Sequence, residues 1–306
     1  MFVGHISVDK VENVNGTRLQ PGGAALYAAM GAQTLFPNVA LISATGKKNQ
    51  FLDTLKLLPS RDIKIYDEAS TKFHIRYDDK WEAHYLKAEH GSGAKITARR
   101  ISDKWLRQKS IFHISPMQPS KVAKIIDKIK QKSPETLVSV NTWIDYIKEG
   151  RRNRRILNDI ALKADFLIMS DTEVKALAQT DSISSAVRLL KAKRLIVTLG
   201  IFGAIISEEN GDLRMVPGLN LSPDKLVDTT GAGDVWCGAF LATYNLTEDF
   251  GKSVSAASTI SRIKCSDWGF QSLIKLRFRE PNDVIEFVMG LKDGGIQKRI
   301  LDYMEN

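Results

Sequence analysis

The sequence predicts an α/β fold with a mostly parallel central sheet and a separate small β-sheet. Apolar strand-like segments alternate with helical segments over most of the chain, which is typical of parallel sheets. One region, 61–89, departs from this order and alternates apolar and polar residues with a period of two. A glycine-rich turn at 231–233 then opens a helix of small residues. These patterns predict, in turn, the central sheet, the small sheet and a ligand site.

The composition agrees with this fold class. The chain has 306 residues, of which 43% are hydrophobic and 26% charged, as is usual for globular proteins. It contains no apolar run as long as a membrane helix needs, and its first residues lack the pattern of a signal peptide. Cys237 and Cys265 are too few for a disulfide framework or a zinc site. We therefore expect a cytoplasmic protein with no membrane partner.

The net charge of +9 raises nucleic-acid binding as an alternative, because basic surfaces attract polyanions. The positive charge is spread along the chain, apart from an arginine-rich run at 151–155. That run falls within a helix expected over 147–163, where it is typical of a solvated face. We do not expect a nucleic-acid partner, since a basic protein also suits anionic substrates such as nucleotides.

The first predicted strand, 2–9, ends in a carboxylate. In open α/β sheets ligands bind beyond the carboxyl ends of the strands, so Asp9 is expected near a ligand, although Asp is also an ordinary turn residue. Gly22 and Gly23 then precede a helix over 24–32. Paired glycines before a helix of small residues allow the backbone to approach a small ligand, although many loops share this pattern.

The small sheet is expected after a strand over 38–44 and a helix that ends near residue 58. It consists of three alternating segments with a hairpin connection at 78–80, namely 63–67, 71–77 and 81–86. We therefore expect an α/β domain formed by residues 1–9, 21–60 and 90–306. The small-sheet region is formed by residues 10–20 and 61–89.

The α/β pattern resumes after residue 90. We expect strands over 111–115, 136–140 and 165–169, a strand and turn over 194–204, and helices over 120–131, 235–244 and 253–262, with another ending at 178 and a closing pair over 281–305. Neither the phosphate-loop pattern GxxxxGK[ST] nor the dinucleotide pattern GxGxxG occurs. A phosphate loop of that type and a dinucleotide site are therefore not expected.

The most informative stretch is 227–240. Thr229 and Thr230 suit helix capping, while glycine at 231 and 233 and a small alanine between them leave the helix N–H groups open to a ligand. Such N–H groups, at the positive end of the helix dipole, suit a phosphate. Asp234 would repel phosphate, and a general base that takes a proton from a hydroxyl explains a carboxylate there. An ordinary helix start with Asp in its first turn is the alternative.

With its motif DTTGAGD and the small-residue helix that follows, this stretch closely resembles the C-terminal signature of the PfkB, or ribokinase-like, family of sugar and nucleoside kinases. The resemblance implies a three-layer ribokinase-like domain whose small sheet is a lid over the acceptor. It implies that Asp234 is the catalytic base and that Gly231, Ala232 and Gly233, with Asp234, form the anion hole. ATP and Mg²⁺ are the implied cofactors.

The resemblance also assigns residues to the acceptor. Asp9 would bind substrate hydroxyls, which a carboxylate can accept in pairs. Gly22 and Gly23 match the start of the family motif GGxxxN, in which Tyr27 replaces the Asn. Tyr at this point is similar to the inositol-kinase-like branch and favours a cyclic polyol. Asn141 stands about where the family has a polar residue that contacts sugar or phosphate.

Further residues are assigned to the nucleotide and to metals by the same resemblance. Glu173 matches the family motif NxxE, in which Ser170 replaces the Asn, and would hold Mg²⁺ through water. Asp228 is implied as a ligand of a monovalent cation such as K⁺. The implied nucleotide-binding residues are Thr198, Gly200 and Gly203, in a segment similar to TxGxxG, together with Thr229 and Ser258.

The function that follows is an ATP-dependent kinase acting on a hydroxyl of a small sugar or cyclic polyol. The lid edges of such proteins often pair between subunits, so a homodimer is expected. A nucleoside kinase of the same fold is one alternative, and Tyr27 in place of Asn counts against it. A non-catalytic binding or regulatory protein is another, and Asp234 beside an anion hole counts against that one.

Overall fold

The structure is a computed structural model that describes residues 1–107, 110–218 and 226–292. Its strands are β1 (Phe2–Val3), β2 (Ser7–Asn13), β3 (Gly16–Gly22), β4 (Ala40–Gly46), β5 (Ser60–Tyr66), β6 (Thr71–Tyr77), β7 (Ala83–Glu89), β8 (Ile111–Ile114), β9 (Leu137–Asn141), β10 (Phe166–Ser170), β11 (Arg194–Thr198), β12 (Gly203–Glu208) and β13 (Leu213–Pro217). Its α-helices are α1 (Ala24–Gln33), α2 (Asp103–Leu106), α3 (Pro119–Lys132), α4 (Ile144–Lys148), α5 (Arg151–Lys163), α6 (Asp171–Ala178), α7 (Ile183–Leu189), α8 (Ala232–Thr247), α9 (Phe250–Lys264) and α10 (Pro281–Lys292).

The chain divides into two compact units. The first contains Met1 and Ile96–Gly218, and the second contains Phe2–Lys95 with the described residues of Leu219–Asn306. Among the described residues, no helix is both long enough and apolar enough to cross a membrane.

In the first unit, β8, β9, β10 and β11 run parallel in that order, and β12 and β13 extend the sheet as an antiparallel edge. Helix α3 shows why such segments pack beside a sheet, since its apolar side chains recur at helical spacing at Val122, Ile125, Ile126 and Ile129 and are all buried. This arrangement brings the carboxyl ends of β9, β10 and β11 to one edge.

The second unit combines a short parallel sheet, β1-β4-β5, with helices α1, α8 and α9. Helix α8 is buried from Val235 to Thr243, which explains its small residues. A side chain at Gly238 would collide with the Ala28 backbone, and one at Gly31 would collide with the Val235 backbone. The glycines therefore set the close approach of α1 and α8.

The same unit contains the separate small sheet, with the order β3-β2-β6-β7. Strands β6 and β7 form the expected hairpin, in which the Asp78 carboxylate accepts hydrogen bonds from the N–H groups of Lys80 and Glu82. The α/β class with mostly parallel strands and a separate small sheet is thus confirmed.

Two strand predictions were wrong in ways that affect the site. The strand expected over 2–9 is interrupted, so that β1 pairs with β4 while β2 belongs to the small sheet and carries Asp9 in its interior. The segment at 63–67, expected in the small sheet, lies in β5 and pairs in parallel with β4. Both errors have one cause, because a local pattern specifies a strand but not its neighbour.

Other differences are local. The helix expected before residue 58 is a short 3₁₀ helix, Leu52–Leu57, and the helix expected over 147–163 is divided into α4 and α5 at Gly150, whose φ is 131°. Helix α7 and strand β13 were not predicted. Of the pair of helices expected over 281–305, α10 is present and the remainder lies outside the described residues. The division into an α/β domain and a small-sheet region stays a prediction.

Candidate active site

The start of α8 offers backbone donors to an anion. Gly231 is the N-cap residue and has a left-handed backbone, with φ at 72°. The N–H of Ala232 donates to the Thr229 carbonyl at 3.1 Å, whereas those of Gly231 and Gly233 make no hydrogen bond to any described residue. A Cβ added at Gly233 would meet no atom within 4 Å, so a ligand can approach. The anion hole over 231–234 stays a prediction, for which Gly231 and Gly233 offer N–H groups without a partner among the described residues.

Asp234 lies in the first turn of α8 and is half-buried. Its charge contributes to the raised pKa values of the Asp9 carboxyl and the Tyr27 phenol, and it partly offsets the lowering of the Lys264 pKa by burial. The second unit therefore brings together Asp9, Asp234 and the open N–H groups of α8. A carboxylate beside hydrogen-bond donors that have no internal partner is suited to proton abstraction next to a bound anion.

Asp9 is 2% exposed and faces the interior from β2. Burial, together with the nearby carboxylates of Asp228 and Asp234, raises its pKa from 3.8 to about 7. Its Oδ1 atom has no hydrogen-bond partner among the described residues. A buried carboxylate oxygen without a partner is costly and indicates a position that a ligand completes.

Gly22 and Gly23 have structural reasons to be glycine. A Cβ at Gly22 would overlap the Asp9 carboxylate, so the glycine leaves room for that side chain. Gly23 has φ at 102°, and a Cβ there would collide with the backbone of His5 and Ile6. Both glycines therefore shape the surroundings of Asp9.

Tyr27 is 1% exposed and lies inside this unit. Its ring lies directly against Gly231, where any side chain at that position would overlap it, and it packs edge-on against Phe270 at 5.6 Å between ring centroids. Its hydroxyl accepts a hydrogen bond from Gln20 Nε2 at 3.2 Å. Tyr27 thus supports the backbone at the start of α8.

Asp228 lies in a dense polar cluster. Its Oδ1 accepts from the Thr230 N–H at 2.8 Å, and its Oδ2 accepts from Gln20 Nε2 at 3.0 Å and from the Gly269 N–H at 2.9 Å. Lys264 Nζ donates to the Asp228 carbonyl at 2.7 Å and lies 3.5 Å from Oδ2. This cluster fixes the turn that leads into Gly231.

The first unit contains a separate group of predicted residues. Asn141, Ser170 and Thr198 end the adjacent strands β9, β10 and β11, where Ser170 pairs with Thr198 and Asn141 with Ile168. The Thr198 hydroxyl donates to the Met169 carbonyl at 3.3 Å. Gly200, with φ at 57°, and Gly203, with φ at 104°, form the tight turn between β11 and β12. The carboxyl ends of neighbouring parallel strands are where α/β proteins bind ligands.

The comparison with family models decides the assignment. The model of the pfkB family carbohydrate kinases matches residues 2–275. The chain belongs to the pfkB family. The family resemblance predicted from the motif at 228–234 is confirmed, and the protein is a phosphotransferase with a hydroxyl acceptor.

Individual relatives agree with this family. Over 280 residues the chain is 26% identical to a cytidine kinase of Thermococcus kodakarensis, covering 89% of this chain and 98% of the relative. A Giardia lamblia ribokinase superposes with a TM-score of 0.75 at 17% identity, over 93% of this chain and 98% of that one. A Burkholderia thailandensis nucleoside kinase in complex with inosine superposes with a TM-score of 0.74 at 17% identity, over 94% and 95%. The structural similarities support the ribokinase-like fold.

Magnesium, which is typical of pfkB kinases, fits Glu173 as a single carboxylate. Glu173 accepts a hydrogen bond from the Ser170 N–H at 2.8 Å, while the Ser170 hydroxyl accepts from the Glu173 N–H, which forms a capping box at the start of α6. No group of three or more potential ligands from His, Cys, Asp and Glu occurs among the described residues. The magnesium role implied for Glu173 stays a prediction.

Two further residues that were predicted to bind the nucleotide, Ser258 and Thr229, form hydrogen bonds within the second unit. The Ser258 hydroxyl accepts a hydrogen bond from Trp236 Nε1 at 3.3 Å, which joins α9 to α8. The Thr229 carbonyl accepts the N–H of Ala232, as described above. The adenine and nucleotide roles implied for Ser258 and Thr229 stay predictions.

Sequence reasoning missed several residues of the site. Phe73 pairs with Asp9 across β6 and β2, so Phe73, Ile75 and Tyr77 share the Asp9 face of the small sheet. Burial raises the pKa of Tyr77, whose phenol lies near Thr229 and Thr230. The alternation of β6 could have identified this face. Lys264 was also missed, because α9 contains two other charged residues, Lys252 and Arg262, and the sequence does not distinguish Lys264 from them.

Proposed function

We propose that the protein transfers the γ-phosphoryl group of ATP to a hydroxyl of a ribonucleoside. The observation that carries the proposal is the buried Asp9 carboxylate, whose unpartnered oxygen lies in the same unit as Asp234 and the open N–H groups of α8. One carboxylate then binds the acceptor, and the other removes a proton from it.

Asp234 acts as the general base. It takes the proton of the acceptor hydroxyl while the acceptor oxygen forms its bond to phosphorus and the bond from phosphorus to the ADP oxygen breaks. The N–H groups of Gly231 and Gly233 donate to the oxygens of the transferred phosphoryl group, assisted by the positive end of the α8 dipole.

A nucleoside acceptor is supported by the chemistry of the Asp9 face. Asp9 accepts hydrogen bonds from two neighbouring ribose hydroxyls, while Phe73 beside it, packed edge-on against Tyr85 at 5.9 Å between centroids, offers a flat apolar surface to a base. The cytidine kinase relative supports the same acceptor class. Tyr27 no longer counts against it, because its hydroxyl is bonded to Gln20 and its ring packs on Gly231.

A small sugar or cyclic polyol is the second candidate. Asp9 recognises only neighbouring hydroxyls, which sugars and cyclitols also present, and its unpartnered oxygen supports this acceptor as well. The two candidates differ in one respect, which is whether the acceptor carries a nucleobase that can stack on Phe73 and strengthen its binding.

The donor side of the proposal rests on residues of both units, each taken separately. Thr198, Gly200 and Gly203 of the first unit, and Thr229 and Ser258 of the second, are the residues we propose for the nucleotide. Glu173 would hold Mg²⁺, which neutralises charge on the phosphates when it is bound. The structural roles of Thr198 and Gly203 in the β11–β12 turn keep their backbone in a defined conformation.

A panel of acceptors tests the proposal. We expect cytidine or another ribonucleoside to be phosphorylated with a kcat/KM about ten-fold or more above that for ribose or myo-inositol, because stacking contributes about 1–3 kcal/mol per base. ADP release with purified protein, corrected for release without acceptor, measures this. The Phe73→Ala variant should lose the preference, whereas Lys72→Ala, on the opposite face of the same strand, should keep it. Higher activity with ribose or inositol in the wild type selects the second candidate.

Replacement of Asp9 gives a second prediction, with opposite effects on binding and stability. Asp9→Asn should raise the acceptor KM by about 10–100-fold, since hydrogen bonds to charged groups contribute about 1.5–3 kcal/mol. The pKa of Asp9 is raised on folding to about 7, so ionisation destabilises the folded state progressively as the pH rises from about 4 to 7. The variant should therefore melt at a higher temperature than the wild type at pH 8 and at a similar one near pH 4. Thermal melts across this range, without acceptor, measure the difference, and a variant less stable than the wild type at pH 8 contradicts the assignment.

A further inference from the structure

Lys264 places a positive charge inside the second unit. It is the last residue of α9 and is 0% exposed, as is Asp228. Its ammonium donates to the Asp228 carbonyl at 2.7 Å, lies 3.5 Å from the Asp228 carboxylate and sits over the Tyr27 ring at 5.6 Å from its centroid. A buried ammonium requires such compensation, since removal of a charge from water is costly.

The groups around Lys264 are those that would otherwise hold a small cation. They comprise the Asp228 carboxylate, the Asp228 carbonyl and the face of the Tyr27 ring. The two oxygen groups are of the kind that binds metal cations. Burial lowers the pKa of Lys264, whereas Asp228, Cys265 and Asp234 raise it. The monovalent cation expected at Asp228 does not fit this arrangement, because the ammonium already contacts the carbonyl oxygen and the Oδ2 atom of Asp228.

Backbone contacts next to Lys264 hold the turn over 228–231 to the end of α9. The N–H groups of Val227 and Asp228 donate to the Cys265 carbonyl at 2.8 and 3.3 Å, directly after Lys264 in the chain. The Asp228 carboxylate in turn receives the Thr230 N–H, one residue before Gly231. Loss of the ammonium would leave the buried Asp228 carboxylate with its three hydrogen bonds but without this positive charge beside it.

We infer that the Lys264 ammonium is a built-in replacement for a monovalent metal ion and positions the 228–231 turn for catalysis. The protein is then independent of K⁺. The inference rests on the proposed function for its kinetic consequence, whereas its effect on cation-dependent stability does not.

The wild type provides the first test. We compare KCl with choline chloride at equal ionic strength. The kcat with the best acceptor should change less than two-fold, and the thermal melting temperature should not change measurably. A several-fold activation, or a clear rise in Tm with K⁺, overturns the inference. The melting measurement needs no acceptor, so it remains decisive even if the proposed acceptor is wrong.

Substitution provides the second test. Lys264→Met should reduce kcat about ten-fold or more in choline chloride, and K⁺ or ammonium should restore part of the activity and raise the Tm. Lys252→Met, on the same helix at its opposite end, is the matched control and should respond to neither salt. Full activity of Lys264→Met without added cation overturns the positioning role. Should Lys264→Met fail to fold, Lys264→Arg, which keeps the charge, is expected to fold and to remain independent of K⁺, and a K⁺ requirement in that variant contradicts the inference.

Discussion

Replacement of Asp234 by Asn is expected to lower kcat at least about 100-fold, the usual scale for loss of a general base. The amide cannot accept the proton of the acceptor hydroxyl, whereas its size and its place in the first turn of α8 are unchanged. Because the proton moves only in the transition state, the acceptor KM should change little. Steady-state kinetics with the acceptor identified by the panel measure both constants.

A matched control separates the loss of the general base from the effect of removing any carboxylate in the first turn of a helix. Asp283 lies in the first turn of α10 and accepts the N–H of Arg279 at 3.0 Å, which an Asn oxygen can also accept. Asp283→Asn should leave kcat unchanged. Both variants should melt close to the wild type, since a first-turn charge contributes about 0.3–1 kcal/mol. Near-normal turnover of Asp234→Asn would remove Asp234 from the chemistry.

The second large effect is on stability. Gly238→Ala is expected to lower the free energy of unfolding by about 3 kcal/mol, at the upper end of the usual cost of overpacking. The added methyl would overlap the Ala28 carbonyl, which belongs to the backbone of α1 and cannot rotate away as a side chain would. Relief would require α1 and α8 to separate, which disturbs the buried contacts along both helices. Thermal or urea unfolding measures the loss.

Gly233→Ala is the control for that experiment, because it makes the same substitution on the same helix. A Cβ at Gly233 meets no atom within 4 Å, so the variant should be at least as stable as the wild type, given the higher helix propensity of Ala. Equal losses of stability in the two variants would show that the contact with Ala28 is not what requires glycine at 238.

The sequence was sufficient for the family, through the motif at 228–234, and for most of the order of elements, because both depend on local signals. A glycine-rich turn that opens a small-residue helix is a specific pattern, and strands and helices are separated by recognisable turn residues. The strand that carries Asp9 was not predictable in the same way. Residues 2–9 are buried throughout, whether they form one strand or two, and only the partners β4, β3 and β6 decide where the chain divides.

The roles of Tyr27 and Lys264 could not be predicted from local pattern, since each is defined by contacts with residues far away in the chain. The acceptor role predicted for Tyr27 from its motif position stays a prediction, whereas the packing of its ring on Gly231 and the contact of its hydroxyl with Gln20 are not specified by the motif. Lys264 meets Asp228, and that pairing depends on how α9 returns to the turn before α8. Such contacts follow from tertiary packing.

The contact between the Tyr27 ring and Gly231 limits how the acceptor preference of this protein can be altered. Position 27 is an obvious choice for a library that seeks new acceptors, because it departs from the family motif. Any smaller residue at 27 would also remove the surface on which the left-handed Gly231 backbone rests. Substitution at this position is therefore expected to change turnover together with any change in preference. Under the proposed function, Phe73 on β6 is the better position at which to alter acceptor specificity.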